Sequence, residues 1–210
     1  MILIERTAVM NLDGAIRGAR NPMNSWAKSD SYYDESGKFI LGPIDIDFGH
    51  RLAVSGTDHR KFLRQVFVTV DITAPLYWWK EFDTYKVATV ANSTSTMHKI
   101  QAKEFSREDF SCDRLSEDCL AALDTLIAVL EKERLAFLET KERQHWDNMI
   151  QLLPSSYHQM RTVTMNYETL INIYYARRHH QLPEWHTLCD AIMTLPYAAD
   201  LIAVKDEEEA

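Results

Sequence analysis

Glycine and cysteine are both scarce in this sequence, and their scarcity excludes several classes of site. The 210 residues include six glycines, which form neither G-x-G-x-x-G nor G-x-x-x-x-G-K-[ST], the patterns that bring backbone N–H groups close to phosphates. A Rossmann or P-loop enzyme is therefore disfavoured. The three cysteines, Cys112, Cys119 and Cys189, form no C-x-x-C pair, and the eight histidines form no H-E-x-x-H motif. We expect no disulfide framework, no metal site and a reducing, cytoplasmic location.

Long apolar runs and an excess of positive charge are also missing. No apolar run reaches the roughly 18 residues that a membrane helix needs. The start, MILIERTAVM, has no positively charged region before an apolar stretch, so we expect no signal peptide and no membrane partner. Lys plus Arg is 23 and Asp plus Glu is 31, which gives a formal charge of −8. Such a chain is a poor partner for duplex nucleic acid, although a locally basic pocket is compatible with one small anion.

The residues that are present indicate one folded domain of mixed class. Apolar residues make up 46% and charged residues 26%, as in ordinary globular domains. We predict a single domain over residues 1–203 and an acidic tail over 204–210. Strands are predicted at 2–10 and 65–71. Helices are predicted at 12–20, 44–55, 73–82, 115–139, 142–153, 166–180 and 183–201. This order predicts an α/β (α+β) fold with a mixed sheet and a large helical part.

Three segments carry side chains that suit ligand binding, and each also has a purely structural interpretation. Residues 92–98 (NSTSTMH) are small and polar, which suits either a phosphate cradle or a solvated loop. Trp78 and Trp79 are adjacent on a predicted helix, so we expect one in the core and one lining a pocket. Residues 177–180 (RRHH) end a helix. Cations there complement the helix dipole, or one arginine grips a phosphate or carbonyl with its fork.

Two further features concern local structure. Residues 21–38 are polar but include Trp26, Tyr32 and Tyr33, and we expect a long surface loop of the kind that often serves function. At Thr73-Ala74-Pro75 we predict a helix start, because threonine caps helices and proline is tolerated in the first turn.

Several of these segments, taken in order along nearly the whole chain, resemble the flavin-dependent thymidylate synthases. The matching features are AIRGAR at 15–20, the strand 65–71 followed by Thr73-Ala74-Pro75, Leu153-Pro154, Tyr157, Asn166, Asn172 and Arg177. The family's Arg-His-Arg signature is replaced by Thr84-Tyr85-Lys86 in this register. In the same register, Glu81 stands where the family has Gln, and Asn92 where it has Glu. Thr94 stands where the family has Ser, and Thr96 where it has a further Arg.

The resemblance implies a ThyX-like homotetramer that carries FAD. It also implies reductive methylation of dUMP or a related pyrimidine nucleotide, with a folate one-carbon donor and NADPH. Arg177 and Lys86 would be catalytic, with Arg177 polarising the pyrimidine. Asn166, Asn172 and Tyr85 would bind the cofactor. The substrate-binding residues would be Glu81, Asn92, Thr94, Ser95 and Arg177.

The altered signature leaves other functions open. Thr84 and Thr96 stand where the family has arginine, so two guanidinium groups are missing. Lys86 keeps a positive charge, but an ammonium cannot form the two parallel hydrogen bonds that a guanidinium can. A non-catalytic nucleotide-binding or regulatory homologue of the same fold is the main alternative. A structural protein without a ligand is the third.

Overall fold

The computed structural model describes residues 2–204, so the predicted tail beyond Val204 lies outside the described residues. The strands are Leu3–Met10 (β1), Tyr32–Tyr33 (β2), Phe39–Ile40 (β3), Phe67–Pro75 (β4), Val90–Ser93 (β5) and His158–Asn166 (β6). The helices are Leu12–Ala19 (α1), Pro43–Val54 (α2), Leu76–Phe82 (α3), Glu117–Thr140 (α4), Arg143–Leu152 (α5), Tyr167–Arg177 (α6), Pro183–Met193 (α7) and Ala198–Leu201 (α8). Within these residues, no helix is long and apolar enough to cross a membrane.

Strands and helices combine as the predicted fold class requires. Four strands form one sheet in the order β1-β4-β6-β5, and β2 pairs with β3 in an antiparallel hairpin. On β4, Val68, Val70 and Ile72 are buried at alternate positions, because successive side chains of a strand point to opposite faces. The α/β class with a large helical part is confirmed.

The described chain divides into two compact units. The first comprises residues 2–3, 72–84 and 92–161, and we call it the α4–α5 unit. There α4 packs against α5, and an apolar core forms from Ile100, Phe105, Phe110, Leu123, Leu130 and Met149. The second comprises residues 4–71, 85–91 and 162–204, and we call it the α6–α7 unit.

In the α6–α7 unit, β1 contains an irregularity at Arg6. Arg6 has a φ of 50°, a conformation that costs energy for a residue with a Cβ. Ile4 and Thr7 both face a small apolar crevice with Val68 and Val70, although residues three apart on a regular strand face opposite sides. A bulge at Arg6 explains this arrangement. The Arg6 guanidinium donates to the Asp71 carboxylate at 2.9 Å.

The segment predicted as a long loop has internal structure. Short 3-10 turns occupy Asn21–Met23 and Trp26–Lys28, and the β2–β3 hairpin follows. Arg20 anchors the segment, because its Nε donates to the buried Asp45 carboxylate at 2.7 Å. Ser29 and Ser31 donate to the other oxygen of Asp45. These buried polar contacts order residues whose sequence predicted an irregular loop.

The start of α2 requires a glycine beside this anchor. The Asp30 carboxylate accepts the N–H groups of Ile44 and Asp45 at 2.9 and 3.0 Å, which satisfies two donors that the first helical turn leaves open. A Cβ on Gly42 would lie 2.2 Å from the Asp30 side chain. Gly42 therefore allows the carboxylate its close approach to the helix.

Three predicted elements are corrected. Strand β4 continues through Thr73 to Pro75 and α3 begins at Leu76, so the predicted cap at Thr73 is wrong. Strand β6 was not predicted, and the helix that follows it begins at Tyr167. The helix predicted over 183–201 is broken between Met193 and Ala198, where Tyr197 takes a φ of 57°.

Trp78 and Trp79 are both fully buried, so neither lines an open pocket.

The cysteines differ in exposure, and we expect their reactivity to follow. Cys119 is exposed and Cys189 is buried, and both are free thiols. Burial raises the pKa of Cys189 to about 11, so its thiol is protonated near neutrality and reacts slowly. With iodoacetamide at pH 8, mass spectrometry of peptides is expected to find Cys119 alkylated well before Cys189. Equal rates on the folded protein would contradict this ordering.

Candidate functional site

Helix α6 carries three of the predicted site residues, Asn166, Asn172 and Arg177. Asn166 is the N-cap and is only 3% exposed. Its Oδ1 accepts the Thr169 N–H at 2.9 Å, and its Nδ2 donates to the Arg64 carbonyl at 3.1 Å. The Asn166 side chain thus serves the helix start, as asparagine does at caps.

Asn172 and Arg177 occupy different faces of α6. They are five residues apart, which corresponds to about 140° around a helix. Asn172 is exposed, whereas Arg177 is half-buried at the last position of the helix. A ligand that touched both would have to extend around the C-terminal half of α6.

Arg177 is held by two aromatic side chains of the α6–α7 unit. Its Nε donates to the Tyr85 hydroxyl at 2.9 Å. Its guanidinium carbon lies 4.5 Å from the centroid of the Trp185 ring and 5.6 Å from that of Tyr85. The Tyr85 and Trp185 rings meet edge to face at 5.9 Å. Hydrogen bonding and cation–π stacking therefore fix one cation at the end of α6.

The segment that carries Tyr85 and Lys86 is attached to α6 at a second point. The Thr169 hydroxyl, in the first turn of α6, donates to the Val87 carbonyl at 3.1 Å. The next residue, Ala88, has a φ of 53°. Lys86 is exposed. The structure therefore places Tyr85, Lys86 and Arg177 in the same unit, although 92 residues separate Tyr85 from Arg177.

The remaining predicted site residues, Glu81, Asn92, Thr94 and Ser95, lie in the α4–α5 unit. Thr94 extends the pairing of β5 with β6, because its N–H donates to the Met160 carbonyl at 2.9 Å. The Ser95 hydroxyl accepts the His98 N–H at 2.9 Å. Asn92 is exposed and Glu81 half-buried. The Thr94 hydroxyl donates to the Met160 carbonyl at 3.2 Å. The phosphate-cradle interpretation of 92–98 stays a prediction.

An arginine that the sequence analysis did not single out lies near these residues. Arg161, on β6, stacks on the Trp79 ring at 4.2 Å and donates to Asp83 at 2.7 Å. It also donates to the Gln159 side chain at 3.0 Å. It lies on β6, which was not predicted, so its surroundings were not visible from the sequence.

Among the residues that contact Arg177, Trp185 is the main one that sequence reasoning missed. It is fully buried. Its place beside Arg177 depends on the turn between α6 and α7, where Pro183 begins α7. The His180 ring also lies 6.2 Å from that of Trp185. Proline at a helix start was the available signal.

Neither a metal site nor the cavity described next involves Arg177, Tyr85 or Trp185. Across residues 2–204, no group of three or more His, Cys, Asp or Glu side chains is arranged to hold a metal ion. A cavity of about 270 Å³ lies elsewhere in the α6–α7 unit, beside α1, with Arg17, Trp26, Tyr33 and Phe39 among its lining residues. The Tyr33 hydroxyl donates to Asp13 at 2.7 Å across it.

Several solved structures are similar to this chain over nearly its full length. One of ThyX, the flavin-dependent thymidylate synthase of Helicobacter pylori, complexed with FAD and dUMP, is 19% identical, with a TM-score of 0.66 over 96% of this chain and 97% of that one. A second, also with FAD and dUMP, is 18% identical, with a TM-score of 0.70 over 96% and 97%. The UMP/dUMP methylase PolB from Streptomyces cacaoi, bound with 5-Br dUMP, is 15% identical, with a TM-score of 0.65 over 97% and 92%.

No protein-family model matches the sequence, and no curated protein matches it. The likeness is one of three-dimensional structure and covers both compact units. The chain therefore has the fold of the flavin-dependent thymidylate synthase ThyX, as its sequence resemblance predicted.

Proposed function

We propose that this protein binds a pyrimidine nucleotide and is an enzyme of the flavin-dependent thymidylate synthase type. Its reaction would be the reductive methylation of dUMP or a related nucleotide. The observation that carries the proposal is Arg177, held by Tyr85 and Trp185 at the end of α6. The fold supports it, since neighbours of the same fold were solved with dUMP or 5-Br dUMP. FAD, a folate donor, NADPH, a homotetramer and a cytoplasmic location belong to the same proposal.

Arg177 suits a role in orienting and polarising the pyrimidine. A guanidinium presents paired N–H donors that match a carbonyl oxygen or an adjacent pair of acceptors. When negative charge develops on that oxygen, a fixed cation stabilises it without reorganising at the moment of reaction. The stack on Trp185 and the bond to Tyr85 provide the fixed geometry. No enzyme nucleophile is required in this scheme.

The donor set of the α6–α7 unit is compatible with a flavin. Asn172 and Lys86 are exposed and offer an amide and an ammonium donor, whereas the Asn166 amide is engaged in the helix cap. We therefore assign cofactor contacts to Asn172 and Lys86 first. A flavin bound there would supply the hydride that completes the methyl group. The protein's own part is to bind and orient the pyrimidine and to hold positive charge beside it.

The non-catalytic alternative has one observation in its favour. Thr84 and Thr96 stand at register positions where the resembled family has arginine, so phosphate binding would depend on hydroxyls, backbone N–H groups and Lys86. Such a protein would bind the nucleotide but not convert it. Nucleotide binding and turnover therefore have to be measured separately.

Calorimetric titration with dUMP tests the binding proposal directly. Arg177→Ala is expected to raise the Kd roughly 10- to 100-fold, because bonds from a charged donor contribute about 1.5–3 kcal/mol. Arg178→Ala is the matched control, since Arg178 has the same charge and packs over Tyr175 at 5.0 Å instead. Its Kd is expected to change less than about threefold, as for a screened neighbouring charge. Equal losses in the two variants would contradict a specific role for Arg177.

The visible absorption spectrum of the purified protein, followed by a dUMP methylation assay, tests the enzymatic half. Flavin absorbance together with turnover that Arg177→Ala removes would support the full proposal. Nucleotide binding by a colourless protein that takes up no FAD would establish the regulatory alternative. Absence of both activities would leave the ThyX fold with neither proposed function.

A further inference from the structure

We propose that Tyr85 is a positioning residue for Arg177, which sets the edge that the guanidinium presents to a bound nucleotide. The inference deepens the proposed function and rests on it for the identity of the ligand. Tyr85 stands at the signature position where the resembled family has histidine. The contacts in this chain give Tyr85 a role through Arg177 rather than a direct contact with cofactor.

Two of the contacts of Arg177 constrain different motions of its side chain. Stacking on Trp185, with the guanidinium carbon 4.5 Å from the ring centroid, restrains the plane of the group. The bond from Nε to the Tyr85 hydroxyl, at 2.9 Å, restrains rotation within that plane. An unrestrained arginine would lose side-chain entropy on binding a ligand. Because Trp185 and Tyr85 already restrain Arg177, that entropic cost of binding is smaller.

The bond at Nε also determines how an acceptor can approach. A guanidinium has a side-on edge formed by Nε and one Nη, and an end-on edge formed by the two Nη groups. Because Nε donates to Tyr85, a ligand that takes two parallel bonds from Arg177 must use the end-on edge. The arrangement therefore selects the direction from which a pyrimidine carbonyl meets the cation.

The segment that carries Tyr85 is itself held in place along α6. Thr169 bonds to Val87 near the start of the helix, and Arg177 bonds to Tyr85 at its end. These two points on α6 are about 12 Å apart by helical rise. The tie at Val87 limits movement of the Tyr85 backbone, so the phenol oxygen stays within reach of Nε.

The first experiment needs no ligand. In protein labelled with 15N-arginine, we expect the Nε–H signal of Arg177 to exchange slowly with water, and Tyr85→Phe to accelerate that exchange about tenfold or more. Tyr174→Phe is the matched control, because Tyr174 also lies on α6 but its ring faces Arg178, at 5.7 Å. Unchanged exchange in Tyr85→Phe would overturn the positioning role, whether or not the protein binds a nucleotide.

The second experiment is a double-mutant cycle on dUMP binding and turnover. Tyr85→Phe keeps the ring but removes the hydroxyl. We expect the Kd for dUMP to rise about 3- to 10-fold, less than in Arg177→Ala, because the cation remains and only its positioning is lost. In an Arg177→Lys background, which has no Nε–H, the same change is expected to have no further effect. Equal effects in both backgrounds would show that Tyr85 acts independently of Arg177. A wild-type protein that binds no dUMP would refute the proposed function, while the exchange measurement would still decide the positioning.

Discussion

Asp45→Asn is expected to lower the free energy of unfolding by about 3–5 kcal/mol, the range measured when one partner of a buried ion pair is removed. Asp45 is fully buried, and Arg20, its partner, is nearly so. Asparagine keeps the shape but leaves the Arg20 guanidinium without a counter-charge, apart from its stack on Phe48 at 4.5 Å. The loss should appear in urea unfolding followed by circular dichroism.

The control for this prediction is two residues further along the same helix. Asp47 pairs with Arg51 at 3.1 Å, but both side chains are about two-thirds exposed, at 66% and 67%. Asp47→Asn is expected to cost less than about 1 kcal/mol, because exposed pairs are solvated and screened. If both variants lost the same stability, Asp45 and its partners would not be the anchor of the 21–38 segment.

The same cluster predicts a pH dependence. Burial alone would raise the pKa of Asp45, but hydrogen bonds from Ser29 and Ser31 and the Arg20 guanidinium outweigh it and hold the pKa below its ordinary value. A depressed pKa in the folded state stabilises the protein above the unfolded pKa of about 3.9. That contribution is lost as the pH falls below about 4 towards the folded-state pKa. The stability difference between wild type and Asp45→Asn should therefore be constant near neutrality and shrink in acid.

Leu130→Ala is expected to destabilise the protein by about 2–5 kcal/mol, because it leaves a cavity in the α4–α5 core. Leu130 has 0% exposure and lies among Leu123, Met149 and the other members of that core. The spread of the expected value depends on how far α4 and α5 can collapse into the space. Thermal or urea unfolding of the variant measures it.

Leu135→Ala provides the comparison on the same helix. Leu135 is 54% exposed, so its truncation is expected to change stability by no more than about 0.5 kcal/mol, as for most surface substitutions. A large loss at Leu135 would indicate that this face of α4 is covered in solution, for example by another copy of the chain. A small loss at Leu130 would mean that the helical pair does not carry a tightly packed core.

The long helices were predictable because their signals are local and strong. Helix α4 was expected at 115–139 and occupies Glu117–Thr140, since its leucines recur at helical spacing. Strand β6 was missed although Val163 and Met165 are buried at alternate positions. Thr162 and Thr164 favour a strand, but Arg161 and Gln159 obscured the pattern. The helix prediction beginning at Asn166 absorbed its last residue, which is both the strand end and the helix cap.

The Arg177 site was only partly accessible from the sequence. The resemblance assigned Arg177 a ligand-binding role and Tyr85 a cofactor contact, and it said nothing about their mutual contact. No periodic pattern links residues 92 positions apart, and the stack on Trp185 depends on the turn between α6 and α7. The left-handed backbone of Arg6 is a second example, because arginine is not a residue type that indicates a positive φ. Non-local contacts of this kind follow from the tertiary fold and not from local preference.

The separation of Tyr85 from Arg177 also has a consequence for biosynthesis. Asp45 is synthesised 25 residues after its partner Arg20. Arg177 is synthesised 92 residues after its partner Tyr85. At translation rates of about 5–20 residues per second, the second interval lasts roughly 5–18 s. The Arg20–Asp45 anchor of the 21–38 segment can form on the nascent chain early. The contacts of Arg177 with Tyr85 and Trp185 form only after α7 has been synthesised. A chain truncated just before Arg177 would therefore keep the Arg20–Asp45 contact and lose the Tyr85–Arg177 contact.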